Sequence, residues 1–314
     1  LTKCCENKVE VIAITDHNTV EGYRELRDHH GELIEQRNHL EKLINKHPGV
    51  KTALDSVVSD LALFEGVLII PGVEFEASPG IHMLCIFDPH CSVDDINEML
   101  CRGGYSDEEQ GKEIPTNVAA VWDVNRVLQE VATLGGLVIA AHADSDKGIY
   151  NDLKGEYRAG ILRSELLSGI SFNNHTTADK IRSMLNNREY NREYPLAFLQ
   201  CSDYHGSDAE LPGMPGTFVK MERLNFEEIK SAFRNPVEYI SATERPEILN
   251  VVKQLAGDRN AVLISGLDES ADVDEMRRAI CGFANSKNGI IMVGVTNRKN
   301  IVGIDCPPEN FRSK

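Results

Sequence analysis

Val9-Glu-Val-Ile-Ala-Ile-Thr-Asp-His17 decides how the rest of this sequence reads. Residues 9–14 form a short apolar run rich in β-branched side chains, the signature of a strand. The run passes directly into Thr15-Asp16-His17-Asn18. The same transition recurs. Val67-Leu-Ile-Ile70 passes into Pro71-Gly72-Val73-Glu74, Leu137-Val-Ile-Ala-Ala141 into His142-Ala143-Asp144, and Ala197-Phe-Leu-Gln-Cys201 into Ser202-Asp203-Tyr204-His205. Four strands thus finish at their C-terminal ends in His, Asp or Glu. In parallel α/β sheets that edge is where ligands and catalytic groups gather. His17, Glu74, His142, Asp203 and His205 therefore converge if these strands share a sheet. Imidazole and carboxylate donors together suit Zn, Mn or Fe. A carboxylate can bridge two ions and a neutral imidazole does not, which makes Glu74 the candidate bridge. His205 follows Asp203 by two residues, so an extended segment puts both side chains on one face. Taken singly each residue has a plainer use: a lone histidine as a surface hydrogen-bonding group, Asp16 as a turn former, Asp203 as a helix cap. The conjunction of four strand ends carries the reading. His29, His30, His39, His47, His90 and His175 lack such placement and receive no role.

Outward from these runs, short apolar strands alternate with longer amphipathic stretches, the pattern of an α/β chain. Ile81–Phe87 and Thr217–Met221 read as further strands. Residues 21–47 read as exposed helix, and 225–233 as another. Val118, Val121, Trp122, Val124, Val127, Leu128 and Val131 predict an amphipathic helix from Pro115 to Leu134, ended by Gly135-Gly136. Near Pro236 to Pro246 the pattern changes and a second, smaller α+β unit is expected. Its elements are a helix from Asp274 to Ser286 and strands at 290–295 and 301–304. The boundary is placed at 240, giving domains 1–240 and 241–314.

Composition narrows the class. The chain has 314 residues, 41% apolar and 26% charged, which is ample for a buried core. No apolar run approaches the roughly 20 residues that span a bilayer, so no membrane partner is expected. The net charge of -16 argues against a generally nucleic-acid-coating surface. It is also uneven: residues 1–243 hold 23 positive and 39 negative charges, while 244–314 hold 10 of each. Acid in the first part is ordinarily a solvated surface, and it also suits carboxylates gathered around metal ions. Eight cysteines without a C-x-x-C pair do not suggest a structural zinc site and fit a reduced, cytoplasmic protein.

Ile14-Thr-Asp-His17-Asn-Thr, Pro71-Gly-Val-Glu74, the His82 of Gly-Ile-His-Met-Leu, Ala141-His142 and Ser202-Asp203-Tyr-His205 resemble, in order and approximate spacing, the motifs of the PHP (polymerase and histidinol phosphatase) superfamily. The resemblance covers residues 1 to about 240. It implies a distorted (β/α)7 barrel with two or three divalent metal ions (Mn, Zn or Fe) at its C-terminal rim, and hydrolysis of phosphate esters. It also implies that His17, Glu74, His82, His142, Asp203 and His205 are metal ligands, with Glu74 bridging and Asp16 orienting a neighbour. His82 opens its strand, so its assignment rests on the resemblance alone. The family's first motif, His-x-His on an opening strand, is absent. Leu1 to Lys8 reads as the end of the helix that follows such a strand, and with the non-Met start this leads to the expectation that the sequence begins inside a longer protein. The competing expectation is a degenerate barrel with a structural or regulatory role.

Arg278-Ala-Ile-Cys-Gly-Phe283-Ala-Asn285-Ser-Lys-Asn-Gly289, then Ile-Ile-Met-Val-Gly294-Val-Thr and Ile-Val-Gly303-Ile, resembles the AlbA-2 domain of Schlafen-related proteins. That resemblance implies nucleic-acid or nucleotide binding, although its upstream Glu-Phe-Lys element is not visible. Joined to a phosphoesterase it points to a nuclease more than to a small-molecule phosphatase, in the manner of bacterial defence or nucleic-acid-processing proteins. Nucleic acid is the expected partner, with a homo-oligomer as a further expectation.

Overall fold

The computed structural model describes residues 1–106, 108–111, 121–173, 175–205, 215–241, 261–264, 270–284 and 290–293. The chain divides into two compact units, Leu1–Ala242 and Thr243–Lys314.

In the first unit, helix α1 (Thr2–Glu6) leads into β1 (Val11–Ile14), followed by a helical pair, α2 (Glu21–Ile44) and α3 (Lys51–Glu65). Next come β2 (Leu68–Ala77), β3 (Ile81–Ile86), α4 (Val93–Arg102), α5 (Val124–Thr133) and β4 (Leu137–Ala140). The unit continues with α6 (Gly155–Arg163), β5 (Leu167–Ser171), α7 (His175–Leu185) and β6 (Ala197–Leu199). A small antiparallel pair, β7 (Phe218–Val219) and β8 (Ile240–Ser241), encloses α8 (Phe226–Arg234) and α9 (Pro236–Tyr239). In the second unit β9 (Ala261–Ile264) pairs in parallel with β10 (Ile290–Val293), and α10 (Ser270–Ala284) lies between them in sequence.

Six strands form one sheet in the order β1-β2-β3-β4-β5-β6. β1 and β2 are parallel, β3 is antiparallel to both its neighbours, and β4, β5 and β6 are parallel again. Five strands thus run one way and β3 runs against them. The mixed α/β class expected of the sequence is present, with six strands in this sheet among the described residues.

Period-two alternation sorts the strand residues into two layers. Val73, Phe75, Met83, Cys85, Val138, Ala140 and Ile170 pack with Ile96, Met99 and Leu100 of α4 and with Val124, Val127, Leu128 and Val131 of α5. These helical residues recur at three- and four-residue spacing, and both helices have side-chain caps. Ser92 accepts from Asp94 N–H, and Asp123 accepts from Arg126 N–H. Phe75 is wholly buried, edge-on to Tyr105 and stacked with Trp122. The other face carries Val11, Ala13, Leu68, Ile70, Leu84, Ile86, Leu137, Ile139, Ala197 and Leu199, covered by Phe226, Ile229 and Phe233 of α8. Extended by the same period, that second face leads to His17 after β1, to Glu74 and Glu76 on β2, to His82 on β3 and to Asp203 after β6.

Several expectations are corrected. β2 does not stop at Ile70 but runs ten residues to Ala77, so Glu74 sits inside a strand rather than after one. The Pro71-Gly72 pair reads as a turn signal, yet here the glycine serves a close approach. A Cβ on Gly72 would stand 2.7 Å from Thr15 Cγ2 and 2.9 Å from the Cys85 carbonyl oxygen. The helix expected from Pro115 begins only at Val124, because Asp123 caps it; Val121 and Trp122 precede it, and Val118 lies outside the described residues. β5 and β9 were not anticipated. Strand 301–304 and residues Asn285, Gly289, Gly294 and Gly303 also lie outside the described residues.

Two glycine substitutions separate packing from propensity. Gly72→Ala should lower the stability of the first unit by about 1–3 kcal/mol through overpacking. Gly31→Ala, on exposed α2 with open space around it, should raise it by about 0.5–1 kcal/mol. Urea unfolding midpoints of the two variants check both signs.

Candidate metal centre

β1 positions the first side chain of the site. Beyond Ile14 the backbone continues to pair with β2: Glu74 N–H donates to the Asp16 carbonyl and Asn18 N–H to the Glu74 carbonyl. His17 and Glu74 form a parallel bridge. Asn18 is fully buried with φ of +50°, and its Oδ1 accepts from Glu76 N–H at 2.8 Å. That turn delivers the His17 ring to Glu74.

His82 arrives from the opposite direction. Because β3 is antiparallel, its first residues lie at the same edge as the C-terminal ends of β2 and β4. His82 is in register with Glu76. His142 follows β4 with φ of +25°, and its N–H donates to Ser171 Oγ at 2.7 Å, so the end of β5 holds that turn in place. Asp203 follows β6 with φ of +48°. Left-handed backbone at residues with a Cβ costs about 1–3 kcal/mol each and persists where the surroundings over-determine it.

Glu74 is the centre of the group and is 4% exposed. Its Oε1 lies 2.8 Å from His82 Nδ1 and 3.4 Å from His142 Nε2, and those two nitrogens are 3.3 Å apart. The other oxygen, Oε2, is 3.6 Å from His17 Nε2. Bonds of about 2.0–2.2 Å from one ion to three such donors place the donors about 3 Å apart. The Glu74–His82–His142 triangle has those edges. His17, Glu74 and His82 also offer ligand atoms within 4.8 Å of one another. Neither His82 Nε2 nor His142 Nδ1, both buried, has a hydrogen-bond partner. The residues present therefore fit divalent cations, with one Glu74 oxygen facing two imidazoles and the other facing a third.

Burial pushes the Glu74 carboxyl up, but hydrogen bonds with His142 and His82 and the charges of His82 and His17 more than offset it, holding it well below the usual carboxylate range. The hydrogen bond to Glu74 raises the His142 imidazole against the opposing effect of burial. Burial pushes the Cys201 thiol up to about 11. Cys201 thus faces the cleft as a neutral thiol at ordinary pH.

The remaining expected residues lie around this core. Asp203 lines the same cleft as Glu74, His142, Ser171 and Cys201. The His205 ring is 5.9 Å from that of His17, and its Nδ1 donates to the Asp203 carbonyl at 2.8 Å. That bond fixes the tautomer and leaves the lone pair on Nε2. Asp203 and His205 are exposed at the rim. Asp16 is exposed, and its carboxylate lies over the first turn of α2, where Gly22 leaves room. Its link to the site is the carbonyl that accepts from Glu74 N–H.

The sequence reading passes over Glu76, Ser171 and Lys147. Glu76 was accessible from the alternation Glu74-Phe75-Glu76, which puts both carboxylates on one face once β2 is seen to continue. Nothing in Leu-Ser-Gly-Ile-Ser marks Ser171.

Residues 264–314 match the family model of the Schlafen AlbA_2 domain. No curated protein matches the chain. Among solved structures the fold is similar to the lesion-specific endonuclease PfuEndoQ from Pyrococcus furiosus, with 18% identity and a TM-score of 0.41 over 54% of this chain and 40% of that one. It is also similar to a candidate metal-dependent phosphoesterase from Bifidobacterium adolescentis, with 16% identity and a TM-score of 0.41 over 73% of this chain and 87% of that one. The matched part thus spans less than half the length of the endonuclease. No helix among the described residues is long and apolar enough to cross a membrane.

The two-sided geometry of Glu74 makes a stoichiometric prediction. After loading with Mn or Zn and gel filtration, Glu74→Ala should retain almost no metal, while His17→Ala should lose only the ion on the Oε2 side. Elemental analysis of wild type and both variants checks this; equal retention in all three would contradict it.

Proposed function

We propose that the first unit, residues 1–240 by the sequence boundary, is a metal-dependent phosphoesterase of the PHP type. The whole chain, with its AlbA-2 part in 241–314, then acts on DNA or RNA as a nuclease. One observation carries the proposal: the buried Glu74 carboxylate presents one oxygen to His82 and His142 and the other to His17. In this reading His17, Glu74, His82, His142, Asp203 and His205 hold two or three divalent ions, and Glu74 bridges them. Asp16 orients the Glu74 backbone through its carbonyl. A seventh barrel strand and a role in bacterial defence belong to the same proposal.

Divalent ions bound by such a set supply charge neutralisation on phosphate oxygens and activation of water. The chain's own part is placement. Ser171 and the left-handed turn at His142 fix one imidazole, and the Asn18 turn fixes His17. The Asp203–His205 segment lies exposed at the rim. The excess of acid in 1–243 does not oppose an anionic substrate once cations occupy its centre. The balanced charge of 244–314 leaves that part free of the same repulsion.

One second reading is a barrel that binds metal weakly and serves as a platform. A single assay series separates the two. Wild type, Glu74→Gln and His142→Ala are incubated with Mn²⁺ and labelled single-stranded DNA, RNA or a nucleotide monoester. The nuclease reading predicts oligonucleotide cleavage that EDTA abolishes. Each variant should lose about 100- to 1000-fold, equivalent to about 3–4 kcal/mol of transition-state stabilisation, with its thermal unfolding retained. Phosphate release from the monoester alone would replace a nuclease by a small-molecule phosphatase, and equal activity in wild type and variants would leave the platform.

A further inference from the structure

Glu76 is a second buried carboxylate on the same face as Glu74, and it is 4% exposed. Burying an ionised carboxylate is unfavourable unless it is paired. Its Oε1 is 3.5 Å from Lys147 Nζ, and its Oε2 is 3.7 Å from His82 Nε2. The Lys147 carbonyl in turn accepts from the His82 backbone N–H at 3.0 Å. His82, Lys147 and Glu76 thereby close a ring: backbone of His82 to backbone of Lys147, ammonium of Lys147 to Glu76, carboxylate of Glu76 to the far side of the His82 imidazole.

The ring is built into the backbone. Lys147 has φ of +62°, and its N–H donates to Asp152 Oδ2 at 2.6 Å. The next residue, Gly148, leaves no space for a Cβ, which would stand 2.5 Å from the His142 carbonyl oxygen. The strained Lys147 turn is therefore locked against the turn that carries His142. On β2, Glu76 is held at its own N–H by Asn18 and at its carbonyl by Tyr105 Oη at 2.7 Å.

His82 turns Nδ1 towards Glu74 and His142. An imidazole that offers the Nδ1 lone pair to a cation carries its proton on Nε2, and a buried N–H requires an acceptor. We infer that Glu76 and Lys147 are positioning residues for His82: Glu76, whose Oε2 lies 3.7 Å from Nε2, draws in to accept a hydrogen bond from the Nε2–H when Nδ1 is presented to the metal, and Lys147 holds Glu76 in place as its counter-ion. The inference rests on the metal reading of the Glu74 cluster.

The test compares Zn²⁺ affinity, by competition with a chromophoric chelator, in wild type, Glu76→Gln and Glu76→Met, with thermal unfolding recorded for each. Glu76→Met, which offers no acceptor, should bind Zn²⁺ about 10–100-fold more weakly. Glu76→Gln, which keeps an acceptor oxygen, should recover most of that loss. Unchanged affinity in Glu76→Met, or equal loss in both variants, would overturn the acceptor role. Should Glu76→Met fail to fold, long-range ¹H–¹⁵N spectra of the Zn²⁺-loaded wild type decide the matter. His82 signals, assigned through His82→Gln, must show a protonated Nε2, and a protonated Nδ1 overturns the inference. A double-mutant cycle addresses the ion pair: Lys147→Met should lower the unfolding midpoint in wild type and much less in Glu76→Met, and additive losses would contradict the pairing. Wild type that takes up no Zn²⁺ would overturn the metal reading, and the inference with it. A zinc-binding wild type with an indifferent Glu76 would overturn this inference alone.

Discussion

A nearly buried carboxylate with three imidazoles turned towards it is the constraint on which the first unit depends. Glu74 would be costly to bury alone. It is tolerated because His82 and His142 meet one of its oxygens and His17 the other. Holding those rings in place requires backbone that ordinary loops do not adopt. Of the five non-glycine residues with positive φ among the described residues, four are Asn18, His142, Lys147 and Asp203, all bordering this cluster. Each is tied by a hydrogen bond or sits beside a glycine that admits no side chain. The strain and the buried charge thus occupy the same few ångströms, as expected where a site rather than a core dictates the geometry.

Strand direction explains how side chains so far apart in sequence meet. β1, β2, β4, β5 and β6 bring their C-terminal ends to one edge, and the reversal of β3 brings its N-terminal end there too. That reversal is why reading strand ends finds His17, His142 and Asp203 but not His82, which came only through its resemblance to a family motif. Direction of pairing is a tertiary property, and the six residues from Ile81 to Ile86 look alike whichever way they run. The length of β2 was hidden for a different reason. Pro71-Gly72 is a turn signal in isolation, and the glycine is explained only by the Thr15 and Cys85 atoms that crowd it.

Other parts were legible to different degrees. Asn225 and the spacing of Phe226, Ile229 and Phe233 announce α8 within a residue or so. The helix expected over Asp274–Ser286 is present but begins four residues earlier, at Ser270, and is described as far as Ala284. β5 escaped notice because Leu-Ser-Gly-Ile-Ser has two apolar residues, and its burial comes from neighbouring strands rather than from its own hydrophobicity. Ser171 at its end was lost with it. The residues most exposed to misreading are therefore those that support Glu74 and its three histidines: their chemistry is ordinary, and only their neighbours give it a purpose.

The central claim is that Glu74 lies between two cation positions. Crystals grown with Mn²⁺ and measured at the manganese absorption edge test it most directly. The account predicts anomalous peaks on both sides of the Glu74 carboxylate, each about 2.0–2.2 Å from one of its oxygens. His82 and His142 should be on the Oε1 side and His17 on the Oε2 side. A fully loaded crystal with no peak bonded to Glu74 would contradict it.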